Sequence, residues 1–72
     1  MTVEELGRSL ALAYSHAPER SKAAHVVLWG IANADALEAC SIAEVVDISG
    51  IGKWGPQVAL GAKLSDYVAL KS

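Results

Sequence analysis

Two short segments constrain this chain more than any others. Residues 2–5, TVEE, and residues 41–44, SIAE, each set a hydroxyl side chain three positions ahead of a glutamate. In a capping box that spacing lets side chain and backbone satisfy each other's orphan N–H groups at a helix start. Behind the first box, Val3, Leu6, Leu10, Ala13, Tyr14 and Ala17 recur at intervals of three and four. The spacing predicts a helix of about four turns, slightly weakened by Gly7 and stopped by Pro18, which pushes its predecessor out of the helical region. Behind the second box, Ile42, Val45, Val46 and Ile48 predict a helix of about two turns. It ends in Ser49-Gly50-Ile51-Gly52, where glycine supplies the positive φ of a tight turn.

The stretches between and after the boxes are also helical in pattern. Pro18-Glu19-Arg20-Ser21 reads as a turn, with Ser21 or a neighbour capping the second helix. From Lys22 to near Ala39, one side carries Ala23, Val27, Gly30, Ile31, Ala34 and Leu37, and Val26 and Trp29 widen the stripe. A helix apolar over so much of its circumference belongs at the centre of a bundle. Gly30 costs such a helix about 1 kcal/mol relative to alanine, so a close helix crossing is expected there. Gly55-Pro56 opens a last helix, with proline in its tolerated first turn. Leu60, Leu64, Tyr67 and Val68 give that helix a stripe running to about Leu70. The expected fold is all-α: one small four-helix domain over residues 1–72, with a helix-turn-helix-like unit in its C-terminal half, residues 41–70.

A chain of 72 residues has a thin stability margin, because a small domain buries a modest share of its surface. With 53% hydrophobic residues, completion of the core by a second copy is expected, giving a homodimer. The single cysteine, Cys40, permits no intrachain disulfide, and no Cys/His cluster has zinc-ligand spacing. The start, MTVEEL, is acidic where a secretory leader would be basic, and no apolar run is long enough to cross a bilayer. A cytoplasmic protein without membrane contact is expected.

Catalysis has no visible basis. His16 and His25 stand apart from any nucleophile, Glu4/Glu5 and Asp35/Glu38 are spaced as solvated helix faces, and neither phosphate-binding glycine motif is present. The expectation is a protein that is not an enzyme and needs neither cofactor nor metal.

Charge is uneven along the chain. Residues 1–49 carry three basic side chains (Arg8, Arg20, Lys22) and seven acidic ones, a net of −4, whereas residues 50–72 carry Lys53, Lys63 and Lys71 against Asp66, a net of +2. That asymmetry can aim one end of the molecule at a polyanion. Residues 41–69 have the order of a helix-turn-helix, whose second helix enters the major groove with its amino end toward base edges. Ile48 and Ile51 would seat the turn on the core. Lys53 and Lys63 would contact phosphate, and Gln57 is suited to a bidentate contact with adenine. Trp54 either packs on the sugar-phosphate edge or caps the rim of the core. Gly61 admits DNA or a packed neighbour.

The segments YSHAPE at residues 14–19, LWGIANAD at 28–35 and GIGKWGPQVALGAKLSDYV at 50–68 resemble a family of small bacterial helix-turn-helix-like proteins. The resemblance spans nearly the whole chain and implies double-stranded DNA as partner and a role in transcription regulation. Trp54-Gly55-Pro56 departs from the polar segment of the family pattern, which leaves Gln57 as the candidate base reader. A second resemblance is local: Gly50-Ile51-Gly52 is similar to the hairpin of helix-hairpin-helix modules, implying backbone N–H groups on phosphate. Pro56 interrupts the register those modules favour. The alternative to DNA is a helical protein-interaction module or adaptor, suggested by the acidic balance and the high Ala, Val and Leu content.

Overall fold

The computed structural model describes residues 2–69. Among these residues five α-helices occur in chain order: α1 (Val3–His16), α2 (Lys22–Ala32), α3 (Ala34–Leu37), α4 (Ile42–Ser49) and α5 (Gly55–Leu64), with a 3-10 turn at Glu19–Ser21 before α2. Among the described residues there is no strand, and no helix is long and apolar enough to cross a membrane.

Both capping segments act at helix starts. Glu5 N–H donates to the Thr2 hydroxyl at 3.1 Å and Thr2 N–H donates to the Glu5 carboxylate at 2.9 Å. At α4, Glu44 N–H donates to the Ser41 hydroxyl at 3.3 Å. Gly50 closes α4 in the left-handed region at φ 70°, and Gly52 adopts φ 103°. Ser21, by contrast, makes no capping hydrogen bond to α2.

The expected second helix is two helices. Asn33 takes φ −110° and ψ 16°, outside the helical region, and its side-chain amide donates to the Trp29 carbonyl at 2.9 Å. Such a local bond offers the backbone an alternative to continuing the helix, and α3 restarts on its own single turn.

The last helix stops earlier than its stripe suggests, and the stripe is not its core face: Leu60, Tyr67 and Val68 are exposed, while Val58 and Gly61 are buried. The Ser65 hydroxyl donates to the Ala62 carbonyl at 2.7 Å, while Asp66 and Tyr67 N–H close onto Lys63 and Leu64. These tighter bonds use up the final carbonyls of α5. Leu70 and Lys71, included in the expected helix and in the charge count, lie outside the described residues.

Leu6 and Leu10 of α1, Val26 and Trp29 of α2, Leu37 of α3, Val45 and Val46 of α4 and Val58 of α5 form the core. Trp29 is fixed further by its indole N–H, which donates to the Ser9 hydroxyl at 2.9 Å. Two helix pairs enclose this core, α2 against α5 and α1 against α4.

The expected close crossing at Gly30 is present, and its partner is Gly61. A Cβ on Gly30 would lie 2.7 Å from the Val58 carbonyl oxygen and 3.1 Å from Gly61 Cα; one on Gly61 would meet the Val27 carbonyl oxygen. Of the two occupants open to Gly61, DNA or a neighbouring helix, the structure places the helix there. Gly7 makes a second notch, against Ile48 and the Val45 carbonyl.

Candidate nucleic-acid interface

The unit that the sequence singles out is α4, the turn at residues 50–54, and α5. Ile51 is half-buried against the core and seats the turn as expected. Ile48 has a different position: it covers Gly7 of α1 and stays 41% exposed. The turn's own backbone is largely engaged. Gly50 N–H donates to Asp47, Ile51 N–H to the Ser49 hydroxyl at 3.4 Å, and Trp54 N–H to Gly52. Because Gly50 and Ile51 spend their N–H groups internally, a hairpin grip on phosphate loses two of its donors.

The candidate side chains have separate surroundings. Lys53 is exposed at the tip of the turn, immediately before α5. Trp54 is half-buried, and its ring meets Tyr14 of α1 edge-on, with centroids 5.5 Å apart and planes at 64°. This is the core-rim role that stood beside a DNA contact. Tyr14 is braced in turn by Lys22, whose ammonium lies 4.4 Å from the ring centroid. The same ammonium donates to the carbonyls of Tyr14 at 2.8 Å and Ala17 at 3.2 Å. A lysine just past a helix often serves the last carbonyls in this way.

Lys22 and Trp54 each contact the Tyr14 ring, which ties the starts of α2 and α5 to the end of α1. Sequence reasoning placed Tyr14 in a core stripe and Lys22 at a helix start, and missed that they hold Trp54. The available signal was a lysine four residues beyond the helix-breaking Pro18.

Gln57 is half-buried, and its Oε1 is enclosed without a hydrogen-bond partner. An unpaired buried acceptor costs about 1–3 kcal/mol. In this conformation one end of the amide is turned inward, so a bidentate contact with adenine requires the side chain to swing out. Lys63 is exposed a turn beyond the middle of α5 and shares a cleft with Glu38 and Asp66. Those carboxylates partly offset its charge at that end of the helix.

Pro56, Ala59, Leu60 and Lys63 make the solvent face of α5, at helical spacing and all exposed. Leu60, at 52% exposure, is the largest apolar group on it. From Ser49 to Ser65 the chain carries two charged side chains, Lys53 and Lys63, both positive. The preceding helix differs, since α4 presents Glu44 and Asp47 to solvent. Cationic surface in this unit thus belongs to the turn and α5. Among the described residues, no three His, Cys, Asp or Glu side chains are grouped to hold a metal ion.

No curated protein and no solved structure matches the chain. A family described as an HTH-like domain does match, over residues 2–71. That match takes in every helix of the fold together with the α4–turn–α5 unit, and the chain belongs to the HTH-like domain family.

Proposed function

We propose that this protein binds double-stranded DNA through the turn and α5, and acts as a small regulator at DNA. The observation that carries the reading is the exposed Lys53 ammonium directly ahead of the amino end of α5, where Trp54 makes no capping hydrogen bond with its side chain. A helix start left uncapped presents the positive end of its dipole to an anion together with its first-turn N–H groups, here without one from Pro56, which has none. Lys53 adds a full charge at the same place. Phosphate contact supplies affinity and register, and base reading is left to the solvent face of α5 and to Gln57 once its amide turns outward.

Duplex binding measured by fluorescence anisotropy across a salt series tests this. Affinity should fall steeply with salt, because each neutralised phosphate releases counterions. Lys53→Ala should lower the slope of log K against log salt by about 1, with little change in sequence preference. A folded sample that binds no duplex at low salt overturns the proposal.

A second reading, association with a partner protein or a second copy, is favoured by the large apolar side chains left in solvent: Leu12, Leu28, Ile48, Leu60, Tyr67 and Val68 are each more than 40% exposed. It requires a complex that survives high salt, which light scattering detects. Monomers at high salt, with salt-sensitive duplex binding, decide for DNA.

A further inference from the structure

The solvent face of α5 is unusual for a helix that enters a groove. Pro56, Ala59 and Leu60 offer neither a donor nor an acceptor to a base edge. The strip is bounded by Lys53 ahead of the helix and Lys63 near its end, with no acidic residue between them in the sequence, although Glu38 and Asp66 share the cleft of Lys63 and Ala59. Lys63 lies eight residues into α5 from Gly55, roughly 12 Å of helical rise, and Lys53 stands two residues ahead of the helix start. The B-DNA major groove is about 12 Å wide with phosphates on both rims. An apolar strip between two cations at that separation is complementary to a groove floor carrying methyl groups between two phosphate rims. In the major groove the apolar group on a base pair is the C5 methyl of thymine, and cytosine carries one there only when it is methylated.

We propose that α5 recognises C5 methyl groups in the major groove, with Leu60 as the principal contact and Ala59 and Pro56 beside it. The inference rests on the DNA-binding reading and specifies what that interface reads. Lys53 and Lys63 set the helix across the groove, and the apolar strip discriminates by burying methyl groups. Leu60 is free to do so because the core of α5 is made by Val58 and Gly61 on the opposite side. Substituting Leu60 therefore leaves the bundle intact.

The test compares a short A·T-rich duplex with its counterpart in which deoxyuridine replaces thymidine, a change that deletes only the C5 methyl. A second pair compares a CpG-rich duplex with and without 5-methylcytosine. Burial of one methyl group is worth about a fourfold change in affinity. The thymidine duplex should therefore bind at least about fourfold tighter than the deoxyuridine one, with the same salt slope.

The cytosine pair shows whether the methyl group is read on cytosine as well as on thymine. Leu60→Ser should abolish the methyl preference while keeping the salt slope; Lys53→Ala should lower the slope while keeping the preference. Equal affinity for the methylated and unmethylated members of both pairs overturns the methyl inference alone. Absence of binding to every duplex overturns the DNA reading with it.

Discussion

The two helix pairs that enclose the core are built on opposite principles. α1 and α4 each begin with a hydroxyl side chain that accepts from the backbone three residues on. They meet where Gly7 lies beneath the β-branched Ile48. α2 and α5 begin at Ser21 and Trp54 with no side-chain cap, and they meet backbone to backbone at Gly30 and Gly61. The first pair carries its start signals within each helix, although α4, at eight residues, still depends on packing to persist. The second pair is specified by contact. α5 in particular starts on Gly-Pro, contains a second glycine, and depends on lying against α2 for its existence as a helix. The element that carries the candidate interface is thus the one whose structure is least local.

The largest effects should come from filling the backbone-to-backbone notch. Gly61→Ala drives a methyl group into the Val27 carbonyl, and Gly30→Ala drives one to within 2.7 Å of the Val58 carbonyl. No side chain can yield, so the helices must separate. The cost should be at the upper end of overpacking, about 3 kcal/mol, even though alanine favours the helix. Thermal unfolding monitored by circular dichroism should show a fall in Tm of well over 10 °C at about 4–8 °C per kcal/mol. The double variant should cost much less than the sum, because one separation relieves both overlaps.

Gly7→Ala breaks the other pair in a different way. Its methyl group would overlap Ile48 Cγ2 and lie 2.8 Å from Ile48 Cβ, with the Val45 carbonyl oxygen at 3.3 Å. The main obstacle is a half-exposed side chain. The destabilisation should be smaller, about 1–2 kcal/mol, and combination with Ile48→Ala should recover part of it, as a double-mutant cycle in urea would measure. Truncation of Val27 or Val58 should give no such recovery for Gly61→Ala, since the opposing atoms are carbonyl oxygens. Recovery at both notches, or at neither, would remove the distinction between the pairs.

This contrast also explains why some roles are legible in the sequence and others are not. Thr2, Ser41 and Gly50 act through neighbours two to three residues away, and their roles are readable from spacing. Gly30 is readable as a crossing because an interior glycine in an apolar stripe has few other uses. Its partner, Gly61, stays open between DNA and a helix, since only the fold brings residues 30 and 61 together. Gly7 reads as a weak point in α1, and nothing local marks Ile48 as its cover. Asn33 sits in an unbroken apolar pattern, and its bond to the Trp29 carbonyl depends on a rotamer that composition does not dictate.

At the interface, exposure of Lys53 accords with its place in a turn. The inward set of Gln57 and the edge contact of Trp54 with Tyr14, itself held by Lys22, are products of three helix ends converging. Side chains that act through distant partners are hidden from a linear reading, and most of this interface is of that kind.

The smallest effects should come from the caps, where the locally specified pair is tested on its own terms. Thr2→Ala and Ser41→Ala should each cost about 1 kcal/mol in denaturant unfolding. Thr2→Ala should carry an additional dependence on pH, for its partner Glu5 is charged. The Thr2 backbone N–H and then the Thr2 hydroxyl hold the Glu5 carboxyl below its ordinary pKa, with smaller help from Arg8. A carboxyl with a depressed pKa in the folded state contributes stability above its unfolded pKa and loses it as pH falls through the folded value. The unfolded chain takes up the proton first, so stability should decline across that acid interval. Glu5 is fully exposed, so salt should shrink the effect. Glu5→Gln, which keeps an acceptor for the Thr2 N–H without a titrating group, should flatten the decline, and the Tm difference between the two proteins should narrow as pH drops below the glutamate range. α4 provides the control: a Ser41→Ala penalty should stay level over the same interval, and a penalty that tracked pH as steeply as that of Thr2→Ala would mean that the hold of the Thr2 hydroxyl on Glu5 contributes nothing special.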